Sequence, residues 1–288
     1  MNEVLGRPTV GVGGSHMITD GRHRIDYNVS GNECGPTIVL VPGSCSTGSA
    51  WRPVVACLGD RFRCVTTSLP GYGGTSERRT PADTAISRVT EAVTAVIQQA
   101  GGKSIHLVGH SFGGLVSLAA VLEHEVQVAS LTVIEAPAVE LLKATGEHEH
   151  YSAFRKMTDT YFQAFHGGDR QAIVGMIDFY GGVGTYASWP ERVRAYAVET
   201  TPVNILDWAS AFAFGLSPSI LAGVRIPLLV LVGEASHQAV QRANGLLSRS
   251  VAAASLETIA GAAHFMISTH AEDVARAIET HIDRVLGG

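Results

Sequence analysis

Charge is scarce in this chain. Of its 288 residues only 16% are charged and 45% are apolar, where an average globular protein carries about 25% charge. That balance excludes a disordered polyelectrolyte and supplies enough apolar surface for a sizeable core. No Lys/Arg-rich run occurs and the net charge is -5, which excludes an electrostatic grip on nucleic acid or on an anionic membrane. No apolar stretch approaches the roughly 18 residues of a spanning helix. The opening MNEVLGRPTVGVGG lacks a basic head followed by an apolar run, so it is not expected to be a signal peptide. Cysteine is sparse as well. Cys34, Cys45, Cys57 and Cys64 fit neither a zinc site nor a CxxC pair and are expected to be free thiols in a reducing cytoplasm. Metal-ligand clusters, a P-loop and a dinucleotide glycine fingerprint are all missing, so no cofactor is expected. Gly14-Ser15-His16-Met17 looks like a cloning scar, and the first 17 residues carry no weight below.

What is present is an alternation of short apolar runs with longer amphipathic stretches. Residues 37–41, 62–68, 105–108, 131–134 and 226–232 read as strands, several of them apolar throughout, as strands buried on both faces are. Residues 256–259 are a weaker strand, and residues 21–30 an N-terminal one opened by the turn signal Thr19-Asp20-Gly21. Helical spacing marks 81–100, 112–122 and 271–286. Strand-helix alternation predicts an α/β fold, a mostly parallel sheet with helices on both faces. The alternation stops over residues 137–220, which are helical and aromatic-rich. The expected division is a core of 1–136 and 221–288 with a helical cap at 137–220. Within the cap, Phe179–Gly184 reads as a flexible aromatic loop and Asp207-Trp208 as a pair that could face the substrate.

The chemistry centres on Gly109-His110-Ser111-Phe112-Gly113. This G-x-S-x-G follows a predicted strand and opens a predicted helix, the context of a nucleophile elbow. Its turn is too tight for side chains at 109 and 113. It lifts the Ser111 hydroxyl to a helix N-terminus, where N–H groups favour developing negative charge.

With this motif the chain resembles the α/β-hydrolase fold family. Val41-Pro42-Gly43-Ser44, Leu69-Pro70-Gly71-Tyr72-Gly73-Gly74, the elbow and Gly261-Ala262-Ala263-His264-Phe265 carry the resemblance from about residue 20 to the end. It implies Ser111 as nucleophile and His264 as general base, since His264, among 12 histidines, has the chain order and loop of the family's catalytic histidine. His110 reads as a packing residue. The oxyanion donors implied are the backbone N–H groups of Phe112 and Ser44.

The third member of the triad is open. Relatives place an aspartate after the strand at 226–232, where this chain has Gly233-Glu234-Ala235-Ser236 and no aspartate from Trp208 to His264. Glu135, closing the strand at 131–134, resembles the variant of some haloalkane dehalogenases in which the acid has moved to that strand end. It gives the order Ser111, Glu135, His264. Glu234 is the alternative acid, and a chain with no effective acid is the third reading. Cys45, Tyr72 and Trp208 are candidate pocket residues, and Trp51 is expected either to pack under the oxyanion loop or to line the pocket.

The resemblance implies a cofactor-free serine hydrolase acting through an acyl-enzyme on an ester, thioester or lactone of a small, largely apolar substrate. The same site could serve a C–C bond hydrolase or a perhydrolase, and a retired scaffold could be a non-catalytic ligand-binding protein. The expected partners are a small-molecule substrate and at most a second copy of the chain in a homodimer.

Overall fold

The computed structural model describes residues 14–20, 23–102, 104–123 and 126–287. The leader reading of residues 1–13 and the Gly21 of the turn signal lie outside the described residues. The strands are β1 (Gly14–Asp20), β2 (His23–Gly31), β3 (Thr37–Val41), β4 (Arg63–Thr67), β5 (Ile105–His110), β6 (Ser130–Ile134), β7 (Leu228–Gly233) and β8 (Ala254–Ile259). They form one sheet in the order β1-β2-β4-β3-β5-β6-β7-β8. Neighbours from β4 to β8 run parallel, while β1–β2 and β2–β4 are antiparallel. The fold is the α/β architecture expected, with a mostly parallel sheet.

Side-chain alternation along the strands builds two cores. In β3, Val39 and Val41 face one layer and Ile38 and Leu40 the other. In β7, Leu228, Val230 and Val232 alternate with Leu229 and Leu231 in the same way. A strand buried on both faces has no polar side to show, which is why these runs are continuously apolar. The first layer is packed by α2 (Ser87–Ala100), α3 (Phe112–Leu122) and α11 (Gln238–Arg249), the second by α1 (Arg52–Leu58) and α13 (Ala271–Gly287). The edge strand β8 leaves Leu256 46% exposed, hence its weaker signal.

Three expectations need correction. Gly14–Asp20 is a strand paired with β2 from Gly14↔Val29 to Asp20↔His23, so the stretch given no weight belongs to the sheet. The helix expected from residue 81 begins at Ser87, because Thr80 and Asp83 exchange backbone hydrogen bonds and close a tight turn first. Phe179 to Gly181 end a helix, and only residues 182–184 are left for the loop.

Between β6 and β7 the chain forms α4 (Val139–Ala144), α5 (His148–His166), α6 (Ile173–Gly181), α7 (Thr185–Ser188), α8 (Glu191–Glu199), α9 (Thr201–Ala213) and α10 (Pro218–Leu221), with no strand. After β8 comes the short α12 (Met266–Thr269). All four cysteines are free. Among the described residues no helix is long and apolar enough to cross a membrane.

Candidate active site

The C-terminal ends of β3, β5 and β6, adjacent in the sheet, carry the only described non-glycine residues with positive φ. These are Cys45 (56°), Ser111 (53°) and Glu135 (48°). Each such backbone costs about 1–3 kcal/mol and persists only where the surroundings enforce it. At Ser111 the enforcement is visible. A Cβ at Gly109 would stand 2.4 Å from Gly113 O, and one at Gly113 would stand 2.2 Å from Pro42 O. Ser111 N–H donates to Ile134 O at 2.8 Å. The turn therefore leaves the Ser111 side chain at the N-terminus of α3, facing a cavity of about 760 Å³.

His264 sits in the turn between β8 and α12 and faces the same cavity. Its Nδ1 lies 2.7 Å from Glu135 Oε2. Glu135 is completely buried, and its other oxygen, Oε1, accepts from Gly233 N–H at 2.7 Å and from Ser236 Oγ at 2.5 Å. Buried carboxylates need donors in this number. Ser236, at the position where relatives carry an aspartate, thus serves as a donor to the glutamate on the neighbouring strand. This pairing holds the Nδ1 proton toward Glu135 and leaves Nε2 free to accept one from the cavity. Ser111 Oγ and His264 Nε2 are not hydrogen-bonded in this resting arrangement, a contact that commonly tightens only around substrate.

Glu234 is elsewhere. It is exposed, and its Oε2 accepts from Gly261 N–H at 2.8 Å. The alternative acid is therefore spent on bracing a loop at the surface. Trp51 and Tyr72, both fully buried, are not among the residues that line the cavity. Trp51 packs in the layer of α1 and α13, while the Tyr72 hydroxyl donates to Asp207 at 2.6 Å. Cys45 and Trp208 do line the cavity. Burial pushes the Cys45 thiol up to about 12, which favours its protonated form. Ser44 and Phe112 also line the cavity, and among the described residues neither backbone N–H has an acceptor.

Two features escape sequence reasoning. Tyr180, at the end of α6, lays its ring on His264 with centroids 4.1 Å apart. Asp207 of α9 is buried in a polar cluster: Oδ2 accepts from Ser44 Oγ at 2.5 Å as well as from Tyr72, and Oδ1 pairs with Arg79 at 2.8 Å. The Leu-Asp-Trp sequence marks the spot, but nothing local indicates partners 135 and 163 residues away.

His110 supports the site from behind. Its Nε2–H donates to the His264 carbonyl at 2.9 Å. Burial, then the neighbouring His264, push the His110 imidazole down to about 3 from 6.5. It is expected to stay neutral, with ring resonances that do not move between about pH 5 and pH 8 in an NMR titration. Because the unfolded chain takes up that proton first, this histidine's share of stability falls as pH drops below 6.5. Among the described residues no group of three His, Cys, Asp or Glu side chains could hold a metal ion.

The family model described as "Alpha/beta hydrolase family" matches residues 38–277. Over 104 residues the chain is 33% identical to the pimeloyl-(acyl-carrier protein) methyl ester esterase of Aeromonas hydrophila, a match covering 36% of this chain and 39% of that protein. The chain thus spans about two fifths of that curated relative. Among solved structures, a bromoperoxidase from Bacillus anthracis superposes with a TM-score of 0.74 at 17% identity, covering 94% of this chain and 100% of the other. The 2-hydroxy-6-oxo-6-phenylhexa-2,4-dienoate hydrolase of a Rhodococcus species superposes with a TM-score of 0.73 at 18% identity, covering 95% and 99%. These two likenesses extend to the fold alone. With the family model spanning most of its length, this chain belongs to the alpha/beta hydrolase family.

Proposed function

We propose that the protein is a serine hydrolase cleaving esters of small, largely apolar substrates through an acyl-enzyme. The observation that carries this reading is the buried Glu135–His264 contact at 2.7 Å, opening onto a cavity that Ser111 also lines. His264 Nε2 takes the Ser111 proton as Oγ attacks the substrate carbonyl carbon. The carbonyl oxygen, now negative, is held by the N–H groups of Ser44 and Phe112, each worth roughly 3 kcal/mol to the transition state. When the C–O bond breaks, Nε2 returns its proton to the departing alkoxide. A water then enters, gives a proton to Nε2 and adds to the acyl carbon, and Ser111 Oγ leaves with that proton. Glu135 stays ionised throughout and steadies the imidazolium.

Residues 137–220 act in this reading as the cap, supplying Ile177, Tyr180 and Trp208 as apolar walls. The free thiols favour a reducing compartment such as the cytoplasm. A non-catalytic scaffold has no need of a buried carboxylate aimed at a histidine, so the binding-protein reading is the weaker one. A fluorophosphonate probe tests the proposal. Wild type is expected to be labelled at Ser111, with loss of p-nitrophenyl ester hydrolysis in step with labelling, and Ser111→Ala is expected to take no label. Labelling that persists in Ser111→Ala, or an unlabelled wild type, would refute it.

A further inference from the structure

Helix α9 shows one side to the cavity: Asn204, Asp207, Trp208 and Ala211, at helical spacing. Trp208 and Ala211 are apolar. The other two are polar and nearly fully buried, Asn204 at 2% and Asp207 at 1% exposure. Their hydrogen bonding differs. Asp207 Oδ2 accepts from Ser44 and Tyr72, and Oδ1 meets Arg79 at 2.8 Å as an ion pair without hydrogen-bond geometry. Asn204 Oδ1 has no partner among the described residues. Buried amides without partners are uncommon, because the lost hydration is not replaced. An unpaired amide on a cavity wall is therefore suited to being completed by whatever fills the cavity.

We propose that Asn204 and the Ser44 hydroxyl form a polar subsite on the α9 wall of the cavity, one that takes an uncharged hydroxyl or amide group carried by the substrate. The proposal rests on the ester-hydrolase reading and narrows its substrate class. Ser44 Oγ gives its hydrogen to Asp207 Oδ2 at 2.5 Å, so what it has left to offer is lone-pair acceptance. Asn204 offers both a donor and an acceptor. Residues three apart on a helix have Cβ atoms about 5–6 Å from each other, which puts Asn204 one turn from Asp207 on the cavity side of α9. A hydroxyl or an amide donates and accepts, and matches this pair. A carboxylate meets the Asp207 charge nearby, and an ammonium finds that charge already balanced by Arg79. The remaining walls, including Ile177 and Phe265, suit an aliphatic chain. The substrate class is an ester whose apolar chain ends in, or carries, a hydroxyl or carboxamide.

Binding to the Ser111→Ala protein tests this without any turnover. Calorimetric titrations would compare methyl esters of equal chain length ending in methyl, hydroxyl, carboxamide, carboxylate or ammonium, over a range of lengths. The hydroxyl or carboxamide ester is expected to bind about tenfold more tightly than its methyl-ended partner at its best length. Asn204→Leu in the same background should erase that preference and leave the methyl-ended ester bound at least as well. Asn204→Ala provides the same comparison if the leucine variant does not fold. A methyl-ended ester that binds as well at every length overturns the proposal. So does a preference that survives both substitutions, a tightest ligand that is charged, or no binding by any member. Wild type that hydrolyses no ester, while the hydroxyl preference stands, counts against the ester-hydrolase reading alone.

Discussion

Glu135→Gln is expected to lower kcat roughly ten-thousand-fold while the fold survives. The size follows from what a neutral amide does to a catalytic histidine whose acid is replaced. The direction follows from the local donors. Gly233 N–H can only donate, and it points at Oε1 from 2.7 Å. A glutamine at 135 therefore turns its carbonyl oxygen to Gly233 and its NH₂ to His264. The NH₂ then donates to Nδ1, the imidazole moves its proton to Nε2, and the nitrogen that the proposed mechanism needs as acceptor for the Ser111 proton is no longer free. Steady-state hydrolysis of a p-nitrophenyl ester measures the effect, with circular dichroism to check the fold. Glu234→Gln is the control and is expected to keep the parental kcat, since its carboxylate only braces Gly261 at the surface. A large loss in Glu234→Gln with none in Glu135→Gln would reverse the assignment of the acid. Fluorophosphonate labelling of Glu135→Gln should slow along with kcat, because the probe also needs an activated Ser111.

How much of this site can be read in the sequence depends on how local its determinants are. The elbow is legible because everything it needs lies within five residues: glycines at 109 and 113, a strand before and a helix after. The four central parallel strands, β3, β5, β6 and β7, are legible because burial on both faces removes polar residues from them. The edge strand β8 is faint for the converse reason, and β1 is hidden because Gly14-Ser15-His16-Met17 has the look of a cloning scar. Glu135 is reached only through the resemblance to relatives whose acid has moved to that strand end, because the missing aspartate between Trp208 and His264 leaves Glu234 open as well. What could not be read is pairing across the chain. Ser236 looks like a lost aspartate, yet it holds the glutamate at the end of the neighbouring strand, 101 residues earlier. Tyr72 and Trp51 look like pocket aromatics, yet one is committed to Asp207 and the other to the opposite layer. An aromatic residue in a glycine-rich loop carries no local sign of which side of the sheet will cover it.

The second large effect concerns the ionic cluster that ties α9 to the loop between β4 and α2. The Arg79 side chain is completely buried, 2.8 Å from Asp207 and 2.7 Å from Glu77, and it donates to Ser210 Oγ at 3.1 Å. Arg79→Leu is expected to cost about 3–5 kcal/mol near pH 7, because it leaves the charge of the nearly fully buried Asp207 without its partner. Glu77 is partly exposed and recovers some hydration. Burial already holds the Asp207 carboxyl above its usual range, with Arg79 pulling the other way. Without the guanidinium it rises further. A carboxyl raised in the folded state binds its proton before the unfolded chain does, so stability falls as pH rises through that window and returns on acidification. Urea unfolding should therefore show the gap between Arg79→Leu and wild type narrowing from about pH 7 to about pH 5. Asp207→Asn added to Arg79→Leu removes the stranded charge and keeps an acceptor for Ser44 and Tyr72. The double variant is expected to regain most of the loss near neutrality and to lose the extra pH dependence. A gap that is the same at both pH values, or a double variant no more stable than Arg79→Leu, would mean the loss came from missing packing around Arg79 and that the Asp207 charge is of little consequence there.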